Sequence, residues 1–215
     1  MKRPRVILAD DHSLILAGLR KLVEAECDVV ATVEDGRALV EAAQRLNPDL
    51  ILLDIAMPLL NGLDAARQLS KLVPESKLIF LTMHASPTYA TEAFQAGASG
   101  YLLKRSAASE LHQAIRSVLS GQYYLTPLIT KDVLGAVLKQ KVGKRGDSAS
   151  TTLTSRQREV LQLVAEGRGT KEIATILNVT VKTVEFHKAG IMRQLDLHST
   201  AELTKYALTE GLIGL

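Results

Sequence analysis

Polar residues stand at the carboxyl ends of four apolar runs in this chain. Leu50-Ile51-Leu52-Leu53 ends on Asp54, Val6-Ile7-Leu8-Ala9 on Asp10 and Asp11, Leu78-Ile79-Phe80-Leu81 on Thr82, and Gly100-Tyr101-Leu102-Leu103 on Lys104. Three carboxylates gathered at two strand ends repel one another unless a cation joins them. Magnesium, a hard ion held by one or two carboxylates with waters and phosphate oxygens, suits that set. A bound cation also lets a carboxylate attack a phosphoryl group although both are anionic, and the product is an acyl phosphate. Lys104 supplies a cation for the phosphoryl oxygens, and Thr82 a hydroxyl donor. The chemistry this pattern predicts is phosphorylation of an aspartate.

Such residues need a sheet to bring them together. A run that is apolar at every position reads as a strand buried on both faces, as in parallel sheets, whose ligands bind beyond the carboxyl ends. Strand-like runs recur near residues 5–9, 28–33, 49–54, 77–82 and 99–103, and helical periodicity fills the gaps, as in Leu14/Leu16/Leu19/Leu22/Val23 and Leu63/Ala66/Leu69/Leu72. The spacing predicts an α/β domain over residues 1–121 with a doubly wound, five-stranded parallel sheet. Beyond residue 122 no further strand is expected. A helix over 127–141, with Pro127 in its first turn, leads into a small, polar, unpatterned linker over 142–152. A second, all-α domain of about four short helices occupies 153–215.

Composition agrees with a globular chain: 47% of the 215 residues are hydrophobic and 23% charged. Cys27 is the single cysteine, which excludes an internal disulfide and a thiolate metal cluster. The N-terminal apolar stretch is too short for a secretory signal, and no run approaches the ~18 apolar residues of a membrane span. The expectation is a cytoplasmic protein without a membrane partner. Residues 1–121 carry 13 Lys+Arg and 14 Asp+Glu, whereas 122–215 carry 13 and 9, so the second half has a net charge of +4 and suits a polyanion.

The second domain reads as a helix-turn-helix. Thr154 or Ser155 caps a helix with Val160, Leu161, Leu163 and Val164 on its apolar side. A short helix over Lys171–Leu177 follows, then a turn in which Asn178 takes a left-handed conformation and Thr180 caps the next helix. In that third helix, about Val181–Leu195, Val184, Ile191 and Leu195 share one stripe. Lys182, Phe186, Ala189 and Arg193 point the opposite way, and Glu185 points sideways. An outward face with Phe186 and Ala189 beside two cations suits a major groove, where apolar side chains meet thymine methyls. Thr170, Lys171, Thr180, Thr183 and Lys188 are placed for backbone contacts.

The tract Leu8-Ala9-Asp10-Asp11-His12, the loop Leu52-Leu53-Asp54-Ile55-Ala56-Met57-Pro58 with Asn61-Gly62, and the ends Leu81-Thr82 and Tyr101-Leu102-Leu103-Lys104 resemble the receiver domain of two-component response regulators. Leu153-Thr154-Ser155-Arg156-Gln157-Arg158-Glu159-Val160-Leu161, Lys171-Glu172-Ile173-Ala174 and Thr183-Val184-Glu185-Phe186-His187-Lys188 resemble the LuxR-type domain. Together the halves look like a NarL/FixJ-type response regulator with a flavodoxin-like receiver. The resemblance implies that Asp54 accepts a phosphoryl group from a sensor histidine kinase. It implies that Asp10, Asp11, Asp54 and the Ala56 carbonyl hold Mg2+, and that Thr82, Tyr101 and Lys104 respond to the phosphoryl group. It further implies binding to double-stranded promoter DNA, a homodimer when phosphorylated through a last helix near Ser199–Leu208, and RNA polymerase as a candidate partner. The protein is then no turnover enzyme: it promotes only its own phosphorylation. The first alternative is a metal-dependent phosphatase or small-molecule phosphotransferase using Asp54, but Ala56 departs from the Asp-x-Asp hydrolase pattern. The second alternative is a phosphorylation-independent DNA binder whose receiver serves for dimerisation.

Overall fold

The computed structural model describes residues 3–143 and 153–213. Strands and helices alternate: β1 (Arg5–Ala9), α1 (Ser13–Val23), β2 (Asp28–Val33), α2 (Gly36–Leu46), β3 (Leu50–Leu53), α3 (Gly62–Leu72), β4 (Lys77–Thr82), α4 (Pro87–Gln95), β5 (Gly100–Leu103) and α5 (Ala107–Leu119). The sheet has the order β2-β1-β3-β4-β5 with every pairing parallel. β1, β3, β4 and β5 lie inside, and their apolar residues are buried on both faces. β2 lies at the edge and is partly exposed along its length. Leu39, Leu63, Leu69 and Ala90 pack on one side of the sheet, whereas Leu16, Leu19, Leu111 and Ile115 pack on the other.

Several details depart from the sequence expectation, among them Leu72, which ends α3 exposed although it was placed on the apolar stripe of that helix. A sixth strand, β6 (Tyr124–Leu125), adds to the free edge of β5, with the Tyr124 and Thr126 amides donating to the Ser99 and Tyr101 carbonyls. Two residues are too few to leave a periodic apolar signal, so sequence pattern alone passes over them. Leu14 was expected on the apolar stripe of α1 but lies outward, because Leu16, Leu19 and Val23 already fill the face that meets the sheet.

The chain continues through α6 (Pro127–Gly143), which packs against α4. Helix α6 therefore includes Val142 and Gly143, where the linker was expected to begin; the remainder of that expected linker, 144–152, lies outside the described residues. Four helices follow: α7 (Ser155–Ala165), α8 (Thr170–Ile176), α9 (Val181–Leu195) and α10 (Thr200–Thr209). Their starts obey local chemistry. Thr154 and Gln157 form a reciprocal capping box on α7, Thr180 caps α9 through the Thr183 amide, and Ser199 and Glu202 box α10. Asn178 turns the chain with φ of 50° between α8 and α9. Val160, Leu161, Ile173, Val184, Ile191, Leu203 and Ala207 form the core these helices share.

Candidate functional site

The parallel register sets β1, β3, β4 and β5 side by side, so Asp10, Asp54, Thr82 and Lys104 leave the sheet at one edge. Asp10 and Asp54 are 1% and 5% exposed, so their charge must be met chiefly by neighbouring groups of the protein. Lys104 bridges them, with Nζ 2.6 Å from Asp10 Oδ2 and 2.7 Å from Asp54 Oδ2. The Ile55 amide donates to the other Asp54 oxygen at 2.6 Å. Burial raises the pKa of Asp54, and the Lys104 hydrogen bond opposes that rise without cancelling it. Burial also works against the charge of Lys104, but its hydrogen bonds to Asp10 and Asp54 outweigh it and raise its pKa. A protonated lysine thus holds two crowded carboxylates together.

Asp11 stands at the open side of this cluster, paired with His12 Nδ1 at 2.7 Å, and His12 also contacts Asp10 at 3.2 Å. The ligand atoms of Asp10, Asp11 and His12 lie within 4.8 Å of one another. Two buried carboxylates that one ammonium spans, with a third beside them, are an oxygen donor set that fits a hard divalent cation.

Thr82 is buried, and its hydroxyl accepts from the His84 amide at 3.3 Å. Tyr101 points into the domain; its hydroxyl donates to the His84 carbonyl at 2.8 Å and its ring stands against Phe80. Burial, and then the charge of Asp54, push the Tyr101 phenol far above its ordinary pKa. Both residues therefore bind the same short segment between β4 and α4.

The segment after Asp54 is the part whose surroundings sequence reasoning missed. Gln162 of α7 is fully buried there: its Nε2 donates to the Met57 carbonyl at 2.9 Å, and its Oε1 accepts from the Asn61 amide at 2.8 Å. Arg158 grips Asp64 with Nε and Nη2 at 2.9 and 2.8 Å, and Glu159 receives Arg37 at 3.0 Å. Glu166 Oε1 accepts from the Leu59 amide at 3.0 Å. Leu59 has φ of 63°, a conformation costly for a branched side chain, and its side chain packs against the core of the helical domain. One clue lay in the chain. Val160, Leu161, Leu163 and Val164 cover more than one face of a helix, so α7 must be covered on both sides, and Gln162 sits among them.

On the helical domain, Val184 and Ile191 are buried as expected, and Lys182, Glu185, Phe186, Ala189 and Arg193 are exposed. Phe186 is 74% exposed, with an edge contact to His187 as its aromatic neighbour. Lys171 lies exposed at the start of α8. Thr180 and Thr183 are joined by their hydroxyls at 2.9 Å, and Lys188 Nζ donates to Thr200 at 3.1 Å, which turns it towards α10. Among the described residues no helix is long and apolar enough to cross a membrane.

Known proteins agree with both halves. The family model of the response regulator receiver domain matches residues 6–116, and that of the bacterial regulatory proteins of the luxR family matches residues 151–207. Oxygen regulatory protein NreC of Staphylococcus haemolyticus is 35% identical, over 97% of this chain and 99% of that protein. Among solved structures, the RcsB response regulator of Salmonella typhimurium superposes with a TM-score of 0.64 at 27% identity, over 97% of this chain and 98% of that one. RcsB of Salmonella enterica serovar Typhimurium bound to promoter P1flhDC in the presence of the phosphomimetic BeF3− gives 0.59 at 28% identity, over 95% and 98%. This chain belongs to the response regulators that join a receiver domain to a LuxR-type helix-turn-helix domain, the NarL/FixJ type its sequence resembles.

Proposed function

We propose that Asp54 accepts a phosphoryl group from a sensor histidine kinase and that this controls binding of the helical domain to promoter DNA. The observation that carries the reading is the convergence of the buried Asp10 and Asp54 carboxylates on one lysine at the ligand-binding edge of the sheet. Asp10, Asp11, Asp54 and the Ala56 carbonyl would hold Mg2+, which when bound offsets the negative charge of the cluster and of an incoming phosphoryl group. Asp54 then serves as the nucleophile, and Lys104, already at its oxygen, pairs with the phosphoryl oxygens. Thr82 donates its hydroxyl to them, and its hydrogen bond with His84 links that movement to Tyr101 and the β4–α4 segment.

In this reading the receiver occupies residues 1–121, a linker helix and linker 122–152, whose strand β6 and helix α6 pack on the receiver, and the DNA-binding domain 153–215. The outward face of α9, with Lys182, Phe186, Ala189 and Arg193, enters the major groove, and Glu185 lies beside it. Lys171, Thr180, Thr183 and Lys188 meet the backbone. That face is open in the docked molecule, whereas Gly211, just past α10, lies against Tyr89 of the receiver. The contact with the receiver therefore lies just past the end of α10, the helix through which two copies would pair on DNA once phosphorylated, and not on the groove face. Contact with RNA polymerase and action in the cytoplasm belong to the same reading.

Intact-protein mass after incubation with Mg2+ and acetyl phosphate tests it, with Asp54→Asn alongside. A single phosphoryl adduct on the wild type, absent from Asp54→Asn, together with tighter promoter binding, is the expected result. Promoter affinity equal with and without the adduct would instead favour the phosphorylation-independent binder.

A further inference from the structure

Glu166 sits where the two halves of the molecule meet. It ends α7, where a carboxylate meets the negative end of the helix dipole rather than the positive one. Its Oε1 accepts from the Leu59 amide and from Gln162 Nε2, at 3.0 and 2.8 Å. Its Oε2 is buried without a hydrogen-bond partner. The same cleft, about 350 Å³, is lined by Asp11, His12 and Ala56 from the phosphoacceptor side and by Glu166 and Ile213 from the helical domain. A carboxylate of the DNA-binding half thus faces a cleft that already contains an acidic residue of the phosphoacceptor cluster.

We propose that Glu166 is the charge sensor of this regulator: docked, it closes the mouth of the phosphoacceptor cleft, and negative charge added at Asp54 expels it. This rests on the reading of Asp54 as phosphoacceptor. In that reaction an Asp54 carboxylate oxygen forms a bond to phosphorus, the bond from phosphorus to the acetyl oxygen breaks, and acetate leaves with the electron pair. A carboxylate of charge −1 becomes an acyl phosphate of about −2. The added charge acts across the shared cleft on a carboxylate with one oxygen buried and unpaired, and the two hydrogen bonds of the other oxygen are what it must overcome. Release of Glu166 frees the Leu59 amide and loosens Gln162, so the contacts of α7 on the phosphoacceptor loop weaken together. By linkage the converse holds: undocking eases addition of charge at Asp54 by the same factor.

The test uses the full chain with Mg2+ and beryllium fluoride, which adds one negative charge on Asp54. Affinity is read by titration and docking by the radius of gyration from solution scattering. Glu166→Gln keeps an acceptor for Leu59 and removes the charge. The expectation is that beryllium fluoride expands the wild type, and that Glu166→Gln stays compact at concentrations that open the wild type while binding beryllium fluoride about five- to tenfold more tightly. Arg158→Ala, which weakens docking away from the cleft, should open the molecule without removing the charge and also bind more tightly. Identical opening and affinity in the wild type and Glu166→Gln would overturn the proposal, as would a wild type that binds beryllium fluoride and remains compact. If none of the three binds beryllium fluoride, the reading of Asp54 itself fails, and the proposal with it.

Discussion

Replacing Gly62 with alanine asks whether the phosphoacceptor strand and α3 are packed as closely as the structure has them. Gly62 opens α3, and its amide donates to the Ile55 carbonyl at 2.8 Å. A Cβ at this position would overlap the Asp54 carbonyl oxygen and lie 2.9 Å from its carbon, against about 3.4 Å or more for an ordinary contact. The obstacle is backbone, not the tip of a side chain: the added Cβ would lie 1.9 Å from that oxygen, so strand and helix must separate by about an ångström or more. Overpacking of this kind costs about 1–3 kcal/mol, and straining the Ile55 hydrogen bond adds about 1 kcal/mol. A loss of about 2–4 kcal/mol corresponds to roughly 10 °C in the midpoint of a domain of this size. Because the displaced atom belongs to Asp54, the rate of adduct formation with acetyl phosphate should fall by about tenfold or more. The control is Gly18→Ala in the middle of α1, where an added Cβ meets nothing within 4 Å and helix propensity should raise stability by about 0.5–1 kcal/mol. A Gly62→Ala protein with wild-type midpoint and wild-type adduct rate would refute the packing argument. Lowered stability with an unchanged rate would refute the link between this contact and the carboxylate.

Asp54→Asn should change the pH dependence of stability in a defined direction. Burial raises the folded-state pKa of Asp54, so its contribution is fully present below the unfolded value of about 3.9 and is lost as pH rises through the raised folded value. Asparagine escapes that loss, so in the absence of Mg2+ the variant should gain on the wild type from pH 4 towards neutrality; a urea midpoint of the variant, taken relative to the wild type, that stays level or falls as pH rises would contradict this. On the helical domain, Lys171→Ala, which removes an exposed cation assigned to the DNA backbone, should weaken binding to duplex DNA and lower the slope of log affinity against log salt by about 1. Phe186→Ala should weaken binding at an unchanged slope and leave thermal stability within about 0.5 kcal/mol, since the ring is exposed; fluorescence anisotropy across a salt series separates the two, and a shared slope change would count against the assigned roles.

How much of this molecule could be read from its chain depends on whether the signal is local. An uninterrupted apolar run needs burial on both faces, so Leu50–Leu53 and Val6–Ala9 announce central parallel strands, and a charge at their ends announces the ligand edge. The capping box at Thr154 and Gln157, the turn at Asn178 and the exposed stripe of α9 are likewise settled within one or two helical turns. The two-residue strand β6 left no such trace, because its place comes from an edge that β5 leaves free rather than from its own residues. The contacts of Gln162, Arg158 and Glu166 are legible only in three dimensions: they join residues about 94–107 positions apart across an interval that no local pattern spans. Sequence by itself determined the two kinds of domain and the strand ends at which the candidate site residues stand, since each rests on periodicity inside a single element. Only tertiary structure decided that a helix of the DNA-binding half closes over the phosphoacceptor loop, because that depends on how two finished surfaces fit and not on what either segment prefers alone.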